Sequence, residues 1–366
     1  MKISHSGIQL YSTCPKAYQY RYKDKIHSMY RGSALFYGSA IDNALNYMLE
    51  NLDKGVEDIV GETIAVFNKH WEQQDDKTFG IIDLPKYPYV LYSKYDFDYE
   101  LLEKEDWKEL FSMNENPMDN KIRIDELIKA DDFKNLSEDD KMFYNYASWL
   151  SLRRKTPHLI RGYYEQLVPQ IKRVIEVQKA VEITDDCGNT LNGFIDFICE
   201  LQDGSIVVAD NKTSSVQYEE DSVSTSTQLA KYRFILNNVY GYNISKAAYF
   251  VLSKKLKKDK VCKKCGHQGS SSHKTCNAEV DGKRCHGEWD KKYVVDTQLV
   301  VQHIPEQFEN MVMENTDEII KCVTAEVFPR NLTNCLTRYN SKCEFFNKCH
   351  GGDTSSLVVV EKKETK

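Results

Sequence analysis

The stretch GFIDFICELQDGSIVVADNKTSS, Gly193 to Ser215, limits the possible folds of this chain more than any other. Two apolar runs of strand length flank Gln202-Asp203-Gly204. An Asp-Gly between such runs signals a hairpin, because glycine accepts the positive φ of a tight turn. The runs predict strands over about 190–201 and 205–211. Asp196 interrupts the first, and Asp210 and Lys212 close the second. Residues two apart on a strand share a face, so Asp210 and Lys212 point the same way. Ligands of α/β sheets gather at strand ends. Two carboxylates there can converge on a hard divalent cation such as magnesium or manganese. A lysine beside metal-bound water can orient that water or offset charge building on a phosphate oxygen. Turn-flanking acids and a solvated lysine also fit so short a motif. Its surroundings must decide.

Those surroundings read as one soluble α/β chain. With 41% hydrophobic and 28% charged residues in 366, the composition is that of a globular protein. No apolar run approaches the roughly 18 residues of a membrane span. The opening MKISHSGIQLYSTCPKAY has no signal-peptide core, so a cytoplasmic location is expected. A net charge of -6 excludes a wholly basic nucleic-acid coat but leaves room for a local basic groove. Short helices over 4–22 break at Cys14-Pro15. Helices follow over GSALFYGSAIDNALNYMLENL and 56–72, then a mostly helical insertion from about 75 to 157. A helix near 158–173 leads into the strand RVIEVQKAVEI. After the hairpin, STSTQLAKYRFILNNVYG carries capping residues and helical periodicity. SKAAYFVLS and KKYVVDTQLVVQ read as strands, and PEQFENMVMENTDEIIKCV as a closing amphipathic helix. The expected organisation is a core over 1–256, a metal-ribbon insertion over 257–291, a return to the core over 292–350, and a loose polar tail over 351–366.

Eleven cysteines in a chain expected to be cytosolic point to metal rather than disulfides. Cys262 and Cys265 form a C-x2-C knuckle, with Cys276 and Cys285 beyond it. Such a set suits a tetrahedral zinc ribbon, in a stretch with too few apolar residues to fold by itself. The second pair is wider spaced than usual, so His273 or His286 could replace one thiolate. The lysine run from Lys254 to Lys264 reads either as a solvated face or as a contact to DNA phosphates. Cys187, Cys199 and Cys322 read as plain core or surface thiols.

The hairpin motif GFID…VVADNKT resembles motifs II and III of the PD-(D/E)XK nuclease superfamily. QLAKY resembles the Gln-x-x-x-Tyr signature of its RecB-like exonuclease branch, with Gln228 and Tyr232 on one helix face. The family's upstream Gly-x-x-x-His appears here as Gly38 to Asp42, so Asp42 stands where the family has a metal-binding histidine. The resemblance implies a restriction-endonuclease-like mixed sheet flanked by helices. It also implies a magnesium or manganese site formed by Asp42, Asp196 and Asp210. Lys212, Gln228 and Tyr232 complete the implied catalytic set. STCPKAYQYRY and the late cysteines resemble the AddB-type and CRISPR-associated exonucleases, which hold a four-iron four-sulfur cluster. The resemblance thus places Cys14, Cys335, Cys343 and Cys349 on such a cluster, although the gap between Cys335 and Cys343 is longer than in that family. Four thiolates also suit zinc. Tyr18, Tyr20 and Tyr22 read either as base-stacking residues or as packing for the cysteine lobe. The implied activity is a metal-dependent DNA exonuclease of repair, recombination or phage replication. With no P-loop in the sequence, the motor would be a helicase or recombination partner. A structure-specific endonuclease and a non-catalytic DNA-binding module remain open.

Overall fold

A computed structural model describes residues 1–28, 31–72, 90–91, 96–98, 101–112, 137–269, 275–336 and 342–360. Most of the 75–157 insertion lies outside them. The chain begins β1 (Lys2–Ser4), α1 (His5–Thr13), α2 (Pro15–Tyr18), β2 (Ile26–Ser28), α3 (Ser33–Asn51) and α4 (Ile59–Glu72). Next come α5 (Lys104–Ser112), α6 (Glu138–Gln166), β3 (Ile171–Thr184), β4 (Thr190–Leu201) and β5 (Ile206–Ser214). It continues α7 (Thr227–Asn238), β6 (Lys246–Cys262), β7 (Trp289–Gln302), α8 (Glu306–Thr324), α9 (Phe346–Gly351) and β8 (Leu357–Val359).

The central sheet runs β1-β4-β5-β6-β7, with β3 paired to β4 as well. β1–β4 and β5–β6 are parallel, and β3–β4, β4–β5 and β6–β7 antiparallel. This is the mixed sheet flanked by helices that the sequence predicts. The β4–β5 hairpin turns at Gly204, whose φ is +82°. Val207 to Ala209 and Ala247 to Leu252 are buried throughout. They read as continuous apolar runs because helices cover both sheet faces.

Tyr37 and Met48 of α3, Trp71 of α4 and Tyr163 of α6 pack with Phe197 and Phe250 on one face. Ile8 of α1, Leu229 of α7 and Ile320 of α8 pack with Ile198 and Val208 on the other. Each such side chain contributes about 1.5–3 kcal/mol through burial. A buried ion pair joins α7 to α8, with Arg233 Nε 2.9 Å from Glu309 Oε1 and Nη2 3.1 Å from Oε2. The helix that carries Gln228 is therefore firmly seated.

Three local readings change. The helix expected over 158–173 belongs to α6, which runs through Pro157 and stops at Gln166. Leu152, Leu159, Ile160 and Tyr163 are buried on both sides of the proline. That packing outweighs a helix penalty of about 3 kcal/mol. The strands around the ribbon extend up to Cys262 and Trp289, beyond the expected strand SKAAYFVLS, so Lys254 to Lys260 lie on β6. Within the tail expected to be loose from 351, Leu357–Val359 form β8, paired antiparallel with β2, while 361–366 lie outside the described residues. The β-branched run in SSLVVV explains it.

Candidate active site and metal centres

One strand edge organises the site. β3 pairs with β4 from Ile171–Leu201 to Thr184–Thr190. The opposite edge of β4 is divided. β1 takes residues 190–192 and β5 takes 197–200, leaving Gly193 to Asp196 between them without a ladder partner there. Ile195 packs in the α7 layer and Phe197 in the opposite one, so the two-residue alternation breaks at Asp196. Across on β3, Gln178 lies between Val177 and Lys179, which pair with Phe197 and Ile195, and has a φ of 50°. A non-glycine residue there is strained, and such irregularities in a strand re-aim nearby side chains. Continuing the β4–β5 register one step beyond Phe197–Ala209 would set Asp196 against Asp210. The ladder stops short of that pair. Asn211 N donates instead to Asp196 Oδ2 at 2.9 Å.

Asp210 is 3% exposed. Gln228 Nε2 donates to its Oδ1 at 3.0 Å. Lys212 Nζ forms an ion pair with its Oδ2 at 2.5 Å. The same ammonium lies 3.5 Å from Gln228 Oε1. Asp42 reaches in from α3; its Oδ2 accepts from Asn46 Nδ2 at 3.3 Å, and its buried Oδ1 has no partner. Tyr232 covers Gly193 so closely that a Cβ there would sit 2.9 Å from its ring. Tyr163 Oη donates to Asn211 Oδ1 at 2.9 Å and so steadies the residue whose amide holds Asp196. The structure therefore brings Asp42, Asp196, Asp210, Lys212, Gln228 and Tyr232 to one opening of the sheet. Asn211, Tyr163 and Gln178 were missed. Asn211 lies within the DNK triplet itself, but the roles of Tyr163 and Gln178 depend on long-range pairing.

Burying like charges together shifts all three acids upward. Asp196 rises to about 8, through burial first and then through Asp210 and Asp42. Asp42 rises to about 6, through burial and then Asp210. Burial also raises Asp210, with Lys212 and Gln228 opposing. Burial works against the charge of Lys212, but Asp210 holds its ammonium above the usual range. The partnerless buried oxygen of Asp42, and acids that resist ionising together, fit a hard divalent cation. Asp42, Asp196 and Asp210 are the residues that would hold it.

The ribbon is tighter. Cys262, Cys265, Cys276 and Cys285 have Sγ atoms all within 4.8 Å of one another. Among the described residues they are the one such group of three or more Cys, His or acidic side chains. Cys262 Sγ lies 3.6 Å from Cys285 Sγ, and Cys265 Sγ 3.7 Å from Cys276 Sγ. Burial opposes ionisation of Cys262, yet the Cys265 and Lys264 amides bring it down to about 6. At Gly287 a Cβ would meet Cys262 Sγ at 2.5 Å, so only glycine lets the backbone pass this close. Four thiols suffice without a histidine; His273 lies outside the described residues.

Cys14, Cys335, Cys343 and Cys349 line one cavity of about 320 Å³. Phe345 is buried beside Tyr20. Tyr18 belongs to the main core, stacked on Phe328, so these tyrosines pack rather than present themselves to a strand. Of the remaining thiols, Cys199 is buried, Cys187 exposed and Cys322 half-buried.

A family model of the PD-(D/E)XK nuclease superfamily matches residues 101–350, more than half of the chain. The protein belongs to that superfamily, whose members hydrolyse phosphodiester bonds in DNA with divalent metals. The match covers the hairpin, α7, the ribbon and the late cysteines, while Asp42 and Cys14 precede it. Among curated proteins no match was found. No helix of the described residues is long and apolar enough to cross a membrane.

Proposed function

We propose that the protein is a RecB-like DNA exonuclease that uses magnesium or manganese. It would act on single strands or duplex ends in repair, recombination or phage replication in the cytoplasm. The gathering of Asp42, Asp196, Asp210 and Lys212 where β4 loses its ladder partner carries this reading. Bound by the three acids, the cation would polarise the scissile phosphate and acidify the attacking water. Lys212 would orient that water and offset charge on the phosphate. Gln228 holds Asp210 in place, and Tyr232 closes the cleft over Gly193 where a DNA end would lie.

Two further metals belong to this reading. Zinc suits the ribbon, since four close thiolates make a closed tetrahedral set. A four-iron four-sulfur cluster suits the other set, whose thiols surround a cavity rather than a point. A helicase or recombination partner would deliver the unwound strand.

Purified protein with manganese should be incubated with end-labelled single- and double-stranded DNA beside a circular control. An exonuclease releases short products from ends and spares circles. Circles cut as fast as linear DNA would move the assignment to an endonuclease.

A further inference from the structure

Lys231 has no role in the cleft's metal chemistry, yet it is only 3% exposed. Among the described residues it forms no ion pair. Its ammonium meets His5 Nδ1 at 3.2 Å. Burying an ammonium against a neutral partner is costly. Burial brings Lys231 down to about 8. Burial, then Lys231 and Lys212, hold His5 at about 4, so it is neutral at pH 7. An ammonium only donates, so Nδ1 must accept and the ring proton sits on Nε2. His5 thus keeps one N–H donor to offer.

The place is telling. β1 ends at Ser4, paired with Asn192, and His5 opens α1 at the point where β4 loses its partner. The next residue of β4 is Gly193, beneath Tyr232. Asp196 closes the same opening at its other end. Lys231 lies one helical turn beyond Gln228. A buried cation, a neutral N–H donor and a helix N-terminus therefore lie beside the end of the β1–β4 pairing, and the acids beside the start of the β4–β5 pairing.

We propose that Lys231 and His5 form a second phosphate subsite, which holds a DNA phosphate other than the scissile one. Phosphate oxygens would accept from Lys231 Nζ and His5 Nε2–H and supply the counter-charge that no described residue gives. This rests on the nuclease reading above.

Lys231→Met separates binding from folding. Removing an unmatched buried charge should raise the melting temperature of the DNA-free protein by a few degrees. The same change should raise KM for DNA about tenfold with kcat nearly unchanged. It should also flatten the plot of log affinity against log salt by about 0.7–0.9, the slope of one phosphate contact. His5→Phe should raise KM several-fold without changing that slope, because the lost donor is neutral. Lys231→Arg should keep the slope. If Lys231→Met does not fold, Lys231→Gln gives the same readouts. Equal penalties on 5′-phosphorylated and 5′-hydroxyl substrates would place a backbone phosphate in the subsite. A penalty confined to the phosphorylated substrate would place the terminal phosphate there. A wild type that cuts DNA beside a Lys231→Met variant with unchanged KM and salt slope overturns the subsite and leaves the nuclease standing. A wild type that neither binds nor cuts DNA sinks the nuclease reading itself.

Discussion

The carboxylate cleft and the thiol ribbon both crowd groups of one kind, and they resolve the crowding differently. In the ribbon four Sγ atoms close to within 4.8 Å, with backbone amides turned onto Cys262 and a glycine at Gly287 to let the chain pass. No side chain of another type is needed. In the cleft each acid has a different neighbour: Asn211 N for Asp196, Gln228 and Lys212 for Asp210, Asn46 for Asp42. One buried oxygen of Asp42 has no partner. A closed set of like ligands makes a structural metal site, whereas an open set with spare oxygens can also take substrate. On the proposed reading the ribbon would be filled once and the cleft used repeatedly.

The largest expected effect lies in the cleft. Asp210→Ala or Lys212→Ala should each lower cutting by about 10³-fold or more, with circular dichroism unchanged. Cys265→Ala should instead release the zinc proposed for the ribbon and expose 262–289 to protease, while short oligonucleotides are still cut at near the wild-type rate. Loss of cutting in that variant would erase the distinction between the two regions.

A smaller effect comes from pH. Asp196 is raised to about 8 and Asp42 to about 6, so protons compete with a cation below those values. Apparent manganese affinity should rise as pH increases from about 6 to 8, as calorimetry would show. The stability sign follows the same shift. An acid whose folded pKa is raised favours the fold while protonated, and that advantage is lost as pH climbs from its unfolded value of 3.8 through about 8. Asp196→Asn should therefore gain melting temperature over wild type most at pH 8 without metal, and added manganese should shrink the gap. A gap independent of pH would mean that Asp196 is not held near neutral charge. The ribbon, if zinc-loaded, should show no such dependence over that range.

The smallest effect is steric. Gly193→Ala puts a Cβ 2.9 Å from the Tyr232 ring, so the ring must move. Cutting should fall several-fold with little loss of stability, and Tyr232→Phe should leave the clash in place.

The hairpin was legible because its turn, its apolar runs and its two acids are local in sequence. Gln228 and Tyr232 were legible for the same reason, four residues apart on a helix with a Ser226 cap. The opening at Gly193 to Asp196 was not. It exists because β1 and β5 share one edge of β4, and no local pattern records that two distant strands stop short of each other. Lys231 was read past inside QLAKY, since nothing nearby in the sequence shows that its partner is His5. The continuity of α6 through Pro157 was not legible, because the penalty of a proline is local while the packing that offsets it is not. The late β8 was hidden by the polar residues around it. Cys14 and the late cysteines share a cavity that spacing alone could not have shown.

The central claim is that Asp196, Asp210 and Lys212 hydrolyse DNA with a divalent metal. The direct measurement is product release from end-labelled linear DNA at pH 8 during a manganese titration, with wild type beside Asp210→Ala. Cutting should appear with the metal, vanish with chelator, return when metal is restored, and be absent from the variant throughout. Cutting that persists in chelator, or that Asp210→Ala sustains at the wild-type rate, would contradict the account.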